Sequence, residues 1–119
     1  MDKVDKLKKL IPLTETSFYI LISLLEPLHG YGIMQKVEKL SNRRIRFGPG
    51  TLYGALNNLQ EIGLIMPYEV TGGTERRKTY RITKMGEDLV SFEIERLEEM
   101  ISNAKTLIEE SRGDIDGSK

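Results

Sequence analysis

The sequence contains no cysteine, which leaves no disulfide framework, no thiolate metal site and no thiol nucleophile. A chain of this kind suits a reducing compartment. Its single histidine, His29, rules out any centre that needs two imidazoles. Long apolar runs are missing as well. The longest, Phe18 to Leu25, has eight residues, against the roughly 20 that a membrane-spanning helix needs. The N-terminal lysines alternate with Asp2 and Asp5 and lead into no signal-type apolar stretch. The expectation is a cytoplasmic protein with no membrane partner. Catalytic patterns are absent too: there is no G-x-x-x-x-G-K-S/T, no G-x-G-x-x-G, no G-x-S-x-G and no metal-ligand spacing. Gly48-Pro49-Gly50 is too short to cradle a phosphate by itself. The sequence therefore points to no enzyme, no metal and no cofactor.

What is present fits one small soluble domain of 119 residues, with 39% hydrophobic and 30% charged residues. The net charge of zero conceals a division. Residues 29 to 84 carry ten basic and four acidic residues, whereas residues 85 to 119 carry four basic and ten acidic. A basic middle is suited to a polyanion, and an acidic end is not. Helical C-terminal segments are often acidic in any case, so charge alone leaves the partner open.

Periodicity orders the elements. Val4, Leu7, Leu10 and Ile11 give a short amphipathic helix over 2–11, interrupted by Pro12. Thr14 and Thr16 offer N-caps for a second helix to about Glu26, with Phe18, Leu21, Ile22 and Leu25 as its core stripe. Pro27 ends it, and His29-Gly30 reads as a turn. A third helix from Tyr31 to Leu40 turns Ile33, Val37 and Leu40 inward. Ser41 to Gly48 is a polar, basic loop. Pro49 to Ile62 forms the next helix, with proline in the first turn, an inward face of Leu52, Ala55, Leu56 and Leu59, and a stop at Gly63. Leu64–Val70 and Lys78–Ile82 are strands joined by the turn Thr71-Gly72-Gly73-Thr74. Thr83 caps a last helix to about Ser111, with Glu87 and Asp88 near its start.

The fold class expected is α+β, mostly α: a winged helix-turn-helix with a long C-terminal dimerisation helix. The boundaries are 1–84 for the DNA-binding unit with its N-terminal helix, 85–111 for the dimerisation helix and 112–119 for a disordered tail rich in Gly, Asp and Ser. The last helix of about 28 residues would be roughly 42 Å long, too long for so small a domain to cover. Leu7, Leu89, Phe92, Leu97, Met100, Ile101, Ala104, Leu107 and Ile108 are the apolar residues expected at the contact with a second copy.

The helix from Pro49 carries the DNA-reading candidates. Opposite its apolar face lie Gly50, Gly54, Asn57 and Glu61, flanked by Thr51, Tyr53 and Asn58, with Glu61, a like charge to phosphate, at the end away from DNA. Small residues allow close approach to a major groove, hydroxyls reach phosphates or base edges, and asparagine can bond adenine bidentately. An ordinary solvated helix face is the plain alternative. Gly54 speaks against it, because a mid-helix glycine costs about 1 kcal/mol relative to alanine; close packing of another helix would explain it equally well. Arg76, Arg77 and Lys78 at the hairpin tip suit backbone or minor-groove contacts. Tyr31 occupies a phosphate-contact position or is half-buried. Arg43, Arg44 and Arg46 either approach the DNA backbone or are solvated.

Four strings then align with a known family. His29-Gly30-Tyr31-Gly32-Ile33, Gly50-Thr51-Leu52-Tyr53-Gly54-Ala55-Leu56, Glu61-Ile62-Gly63-Leu64-Ile65 and Arg77-Lys78-Thr79-Tyr80-Arg81-Ile82-Thr83-Lys84-Met85-Gly86 resemble, in order and spacing, the PadR family of transcriptional regulators. The resemblance spans roughly residues 12 to 111 and is to the compact branch with a single C-terminal helix. It implies a homodimer, mostly repressing, on pseudo-palindromic double-stranded DNA, with Thr51, Tyr53, Asn57, Arg77 and Lys78 touching DNA. It also implies a small hydrophobic or aromatic effector. Drug-binding compact members stack ligands on an interface tryptophan; this chain has no tryptophan, leaving Phe92 and Tyr19 as the aromatic candidates. The rival expectation is a winged-helix protein-interaction module without DNA binding.

Overall fold

The Thr14 hydroxyl accepts the Ser17 amide at 3.0 Å, giving one of the four free amides of a helix start its partner. In the computed structural model, which describes residues 3–69 and 78–115, the elements are α1 (Lys3–Lys8), α2 (Glu15–Ser23), β1 (Leu28–His29), α3 (Gly30–Leu40), α4 (Pro49–Ile62), β2 (Ile65–Pro67), β3 (Thr79–Ile82) and α5 (Lys84–Ile115). The three strands form one antiparallel sheet in the order β1-β3-β2. This is the order of four helices, hairpin and long helix that the periodicity predicts, with β1 added between α2 and α3. The turn Thr71–Thr74 lies outside the described residues.

The core is continuous from α1 to the first half of α5. Ile20, Leu21, Leu24, Ile33, Val37, Leu52, Leu56, Leu59, Leu64, Ile65, Tyr80, Ile82 and Leu89 are all buried. Two expected core residues are corrected. Leu25 is 64% exposed, because α2 stops at Ser23 and its end tightens: Leu24 and Leu25 donate to Leu21 and Ile22, three residues back. That rotates Ile20, Leu21 and Leu24 inward and Leu25 out. Leu40 is exposed at the last turn of α3, and the buried residue there is Ser41. Its hydroxyl donates to the Glu38 carbonyl at 3.2 Å and accepts the Ile45 amide at 3.0 Å, so the helix-turn-helix connection is held from inside.

His29, expected in a turn, lies in the two-residue strand β1 opposite Thr79. Its Nδ1 accepts the Gly32 amide at 3.3 Å and caps α3. A two-residue strand has no period to read, and its partner lies fifty residues away.

The end of α4 and the start of α5 are locked together. Gly63 takes φ +100°, the left-handed conformation that glycine adopts without penalty. There the Leu64 amide bonds back to the Leu59 carbonyl at 3.0 Å, a Schellman-type stop. Thr83 meets this corner. Its amide donates to Leu64 O at 3.0 Å, its hydroxyl donates to Gly63 O at 2.7 Å, and the same hydroxyl accepts the Gly86 amide at 3.1 Å. Gly86 packs so closely that a Cβ there would stand against the Leu64 carbonyl oxygen and 2.6 Å from Ile82 Cγ1.

Leu7 and Leu89, expected at the contact between copies, are instead buried in the chain's own core, because α1 folds back beside the first turns of α5. Phe92 is partly buried in the same region and shares a cavity of about 250 Å³ with Val4, Leu7 and Glu95. The first turns of α5 therefore belong to the same packed unit as the preceding elements. Glu93, 1% exposed, ties that unit to the N-terminal segment. Its carboxylate accepts the Leu13 amide at 2.8 Å and is gripped by Arg96 at 2.6 and 3.0 Å. The hydrogen bonds from Arg96 chiefly hold the Glu93 pKa below the usual carboxylate range, against the opposing effect of burial. The expected tail from 112 is also corrected: α5 continues to Ile115. Extending a helix already formed is far easier than starting one, so Gly113 and Asp114 do not end it.

The 32 residues of α5 make a rod of about 48 Å. Beyond Leu97 every residue from 98 to 112 is exposed. The Cα radius of gyration is 18.5 Å, against about 13–14 Å for a compact chain of this length.

Two stability predictions follow from these junctions. Gly86→Ala forces the Leu64 corner to open and lowers the unfolding free energy by about 1–3 kcal/mol, measured by urea denaturation. Glu93→Ala leaves the half-buried Leu13 amide without its acceptor and lowers stability by about 1–3 kcal/mol at neutral pH. Because the folded pKa of Glu93 is lowered, its contribution is complete above the free glutamate value of about 4.3 and disappears as pH falls through the folded value. The gap between Glu93→Ala and the parent therefore narrows under acid.

Candidate nucleic-acid interface

α4 begins at Gly48, which has no side chain to cap it, and Pro49 takes the first helical turn. The amides of Gly50 and Thr51 are thus free of any capping side chain, at the helix end where the dipole favours an anion. Leu52, Leu56 and Leu59 anchor the helix from beneath. The opposite face presents Gly50, Thr51, Tyr53, Gly54, Asn57 and Asn58, all exposed.

Gly54 decides between the two explanations of its small size. A Cβ built at Gly54, or at Gly50, meets nothing within 4 Å. No other part of the described chain packs there, so the packing of another helix of this chain does not explain the glycine. Tyr53 is placed differently from expectation. It is exposed, but its ring leans across the start of α3: a Cβ at Gly30 would come within 2.5 Å of its Oη and 2.9 Å of its Cζ. Tyr53 therefore bridges α4 to α3, and it lies close enough to Tyr80 to add to the effect of burial in raising that phenol's pKa. Tyr31, 62% exposed, stands at the start of α3. It borders an open groove with Lys39, Arg43 and Phe47.

The basic middle of the chain divides in the fold. Arg44 pairs with Glu15 at 2.6 Å, Arg46 with Glu38 at 3.6 Å and Lys36 with Glu26 at 2.7 Å. Those cations are committed to the surface of their own domain. Arg43, in the left-handed region at φ +69°, has no ion pair among the described residues. Lys78 is exposed just before β3; Arg76 and Arg77 lie outside the described residues. Arg81 sits over the Tyr68 ring, 5.5 Å from its centroid. Tyr68 also receives the Thr79 hydroxyl on its carbonyl and donates its amide to Thr79 O at 2.9 Å. Tyr68 and Arg81 thus stiffen the base of the hairpin, a role that the alternation of β3 did not reveal.

An exposed, small-residue helix beside the base of a hairpin is the arrangement of the winged helix-turn-helix. The model of the transcriptional regulator PadR-like family matches residues 19–91. This chain belongs to the PadR-like family. That family consists of transcriptional regulators and not of enzymes. Among solved structures, a PadR family transcriptional regulator from Eggerthella lenta has a TM-score of 0.62 at 23% identity, covering 89% of this chain and 88% of the other. Bacillus subtilis PadR, solved in complex with operator DNA, gives 0.53 at 23% identity, covering 63% of this chain and 44% of that one. These likenesses establish the fold. An uncharacterized 37.1 kDa protein in transposon TN4556 of Streptomyces fradiae is 40% identical over 67 residues, 56% of this chain; the match spans 18% of that protein's length. The PadR-like match ends at residue 91, inside α5 and before its exposed half.

That exposed half holds one residue missed in the sequence. Leu97, Met100, Ile101, Ala104, Leu107 and Ile108 are exposed as expected, and so is Ile94. Stepping back three residues from Leu97 would have found it. Among the described residues no group of acids and histidine could hold a metal ion, and no helix is long and apolar enough to cross a membrane.

Gly54→Ala separates folding from function. Alanine gains about 0.5–1 kcal/mol in a helix interior, and here its Cβ enters open space. The variant is expected to unfold at higher denaturant than the parent yet bind duplex DNA more weakly. Equal DNA affinity in a titration would show that the glycine serves no close approach.

Proposed function

We propose that this PadR-like protein is a homodimeric repressor acting in the cytoplasm on a pseudo-palindromic operator, with α4 in the major groove and the hairpin along the backbone. The observation that carries this reading is the empty space over Gly50 and Gly54, on an exposed face that also presents Thr51, Asn57 and Asn58. The uncapped start of α4 supports it by leaving amides for a phosphate. Tyr31 and Lys78 flank the same helix as backbone contacts, joined by Arg76 and Arg77 from the hairpin tip. Tyr53 acts chiefly by fixing α4 against α3. The copies meet through Leu97, Met100, Ile101, Ala104, Leu107 and Ile108, with Ile94 added. A small hydrophobic or aromatic effector would have two places to enter beside α5: the cavity at Phe92, and one of about 300 Å³ lined by Phe18, Tyr19 and Leu97.

Selection from random duplexes at two salt concentrations tests the reading. A two-fold symmetric site should emerge, and affinity should fall steeply with salt as phosphate contacts release counterions. An Arg77→Glu/Lys78→Glu variant should lose affinity at both. No enriched sequence, together with a variant that behaves like the parent, would instead favour a protein-binding module.

A further inference from the structure

The cations of α3 and its connection to α4 fall into two sets, and only one set is neutralised within the chain. Lys36, Arg44 and Arg46 pair with acids. Lys39 and Arg43 are exposed and have no ion pair among the described residues. Both line one open groove of about 590 Å³ on the outer side of α3. Met34 and Phe47, packed against the core, form its floor. Glu38 also lines it, with its charge offset by Arg46 at 3.6 Å. Tyr31, Gln35 and Lys39 are four residues apart, so they share one stripe of α3 about 12 Å long. Arg43 joins them from past the helix end, and Phe47 brings the groove within two residues of Pro49, where α4 begins.

The backbone bends at a cost to place Arg43 there. Asn42 and Arg43 both take left-handed conformations, at φ +55° and +69°. Asparagine tolerates that region, whereas arginine has no short polar group to ease it. The Arg43 amide donates to the Glu38 carbonyl at 2.8 Å, and the buried Ser41 hydroxyl holds the Ile45 amide just beyond, so the turn is fixed from both sides. Glycine would occupy position 43 without penalty. An arginine in such a conformation points to a task for its side chain. A cation in the last turn of a helix suits the dipole; that accounts for the sign of Lys39, but not for the backbone at Arg43.

We propose that the groove from Tyr31 to Arg43 receives a run of duplex phosphates, with Lys39 and Arg43 as their counter-charges and Gln35 as a neutral donor. The proposal rests on the reading of α4 as the DNA-facing helix, and it adds a backbone track that neither α4 nor the hairpin supplies. Charge complementarity selects the occupant: two cations without an internal partner, on one strip with Tyr31, suit successive anions. Such contacts carry affinity and salt dependence and no sequence preference.

A random-sequence duplex of about 30 base pairs, titrated between about 50 and 200 mM salt, tests this without knowledge of the operator. Arg43→Gly should unfold at a higher urea concentration than the parent, because the left-handed backbone costs glycine nothing. It should nevertheless bind the duplex about tenfold more weakly at low salt for each bound copy, with a salt slope smaller by about 0.9. Lys39→Gln should lose as much affinity and slope. Lys36→Gln, on the same helix but paired with Glu26 in the parent, should keep the parent's slope. Parental affinity and slope in Arg43→Gly and Lys39→Gln would overturn the proposal and leave the groove to an acidic polypeptide. An equal loss in Lys36→Gln would overturn it by reducing the effect to net charge. An Arg43→Gly variant less stable than the parent would give the arginine a structural task and overturn it as well. A parent that binds no duplex would overturn the DNA reading itself, and this proposal with it.

Discussion

The corner where Thr83 meets Gly63 and Leu64 is the constraint on which the other parts depend. Three hydrogen bonds from one threonine join the end of α4, the start of β2 and the first turn of α5. The glycine at 63 supplies the left-handed turn, and the one at 86 supplies the room. Both carbonyls involved lie just past α4, where the helix itself offers backbone acceptors no partner. Thr83 gives them one. The same atoms that finish α4 therefore start α5, and the direction of the long rod is set by the helix that presents the small-residue face.

A second tie, at Glu93, fixes the other side of the rod. A carboxylate this deeply buried is tolerable only because it is fully bonded: Arg96 neutralises it from its own helix, and Leu13 brings an amide from the far end of the chain. Hydrophobic burial alone would allow α5 to slide along the groove between α1 and α2. The directional bonds at Thr83 and Glu93 do not.

Much of this was legible in the sequence. Amphipathic spacing located α3, α4 and α5; Pro49 and Gly63 bounded α4 to the residue; Thr14 and Thr83 were recognisable as caps. These are local signals, carried by residues three or four apart. What escaped was non-local. β1 exists only because β3 lies beside it. The tightened end of α2 turned its stripe and sent Leu25 outward. Leu7 and Leu89 looked like contact residues because a pattern shows that a face is apolar, not which neighbour covers it. On the exposed face of α4, Gly54 was conspicuous in sequence, but only the structure shows that the space above it is empty. The lean of Tyr53 over Gly30 left no trace in spacing at all.

α5 is one uninterrupted helix that begins inside the core and ends in solvent. A helix bends little over such a length unless a proline, bulge or inserted group breaks its ladder, and α5 contains no proline. It therefore acts as a lever. Its short arm is clamped at Thr83 and Glu93, and its long arm is free. Any molecule that rolls or tilts the free arm by a few degrees must carry α4 with it, because no joint lies between them to absorb the motion. In this chain the tilt of the exposed face of α4 and the state of a remote helix surface are a single mechanical variable.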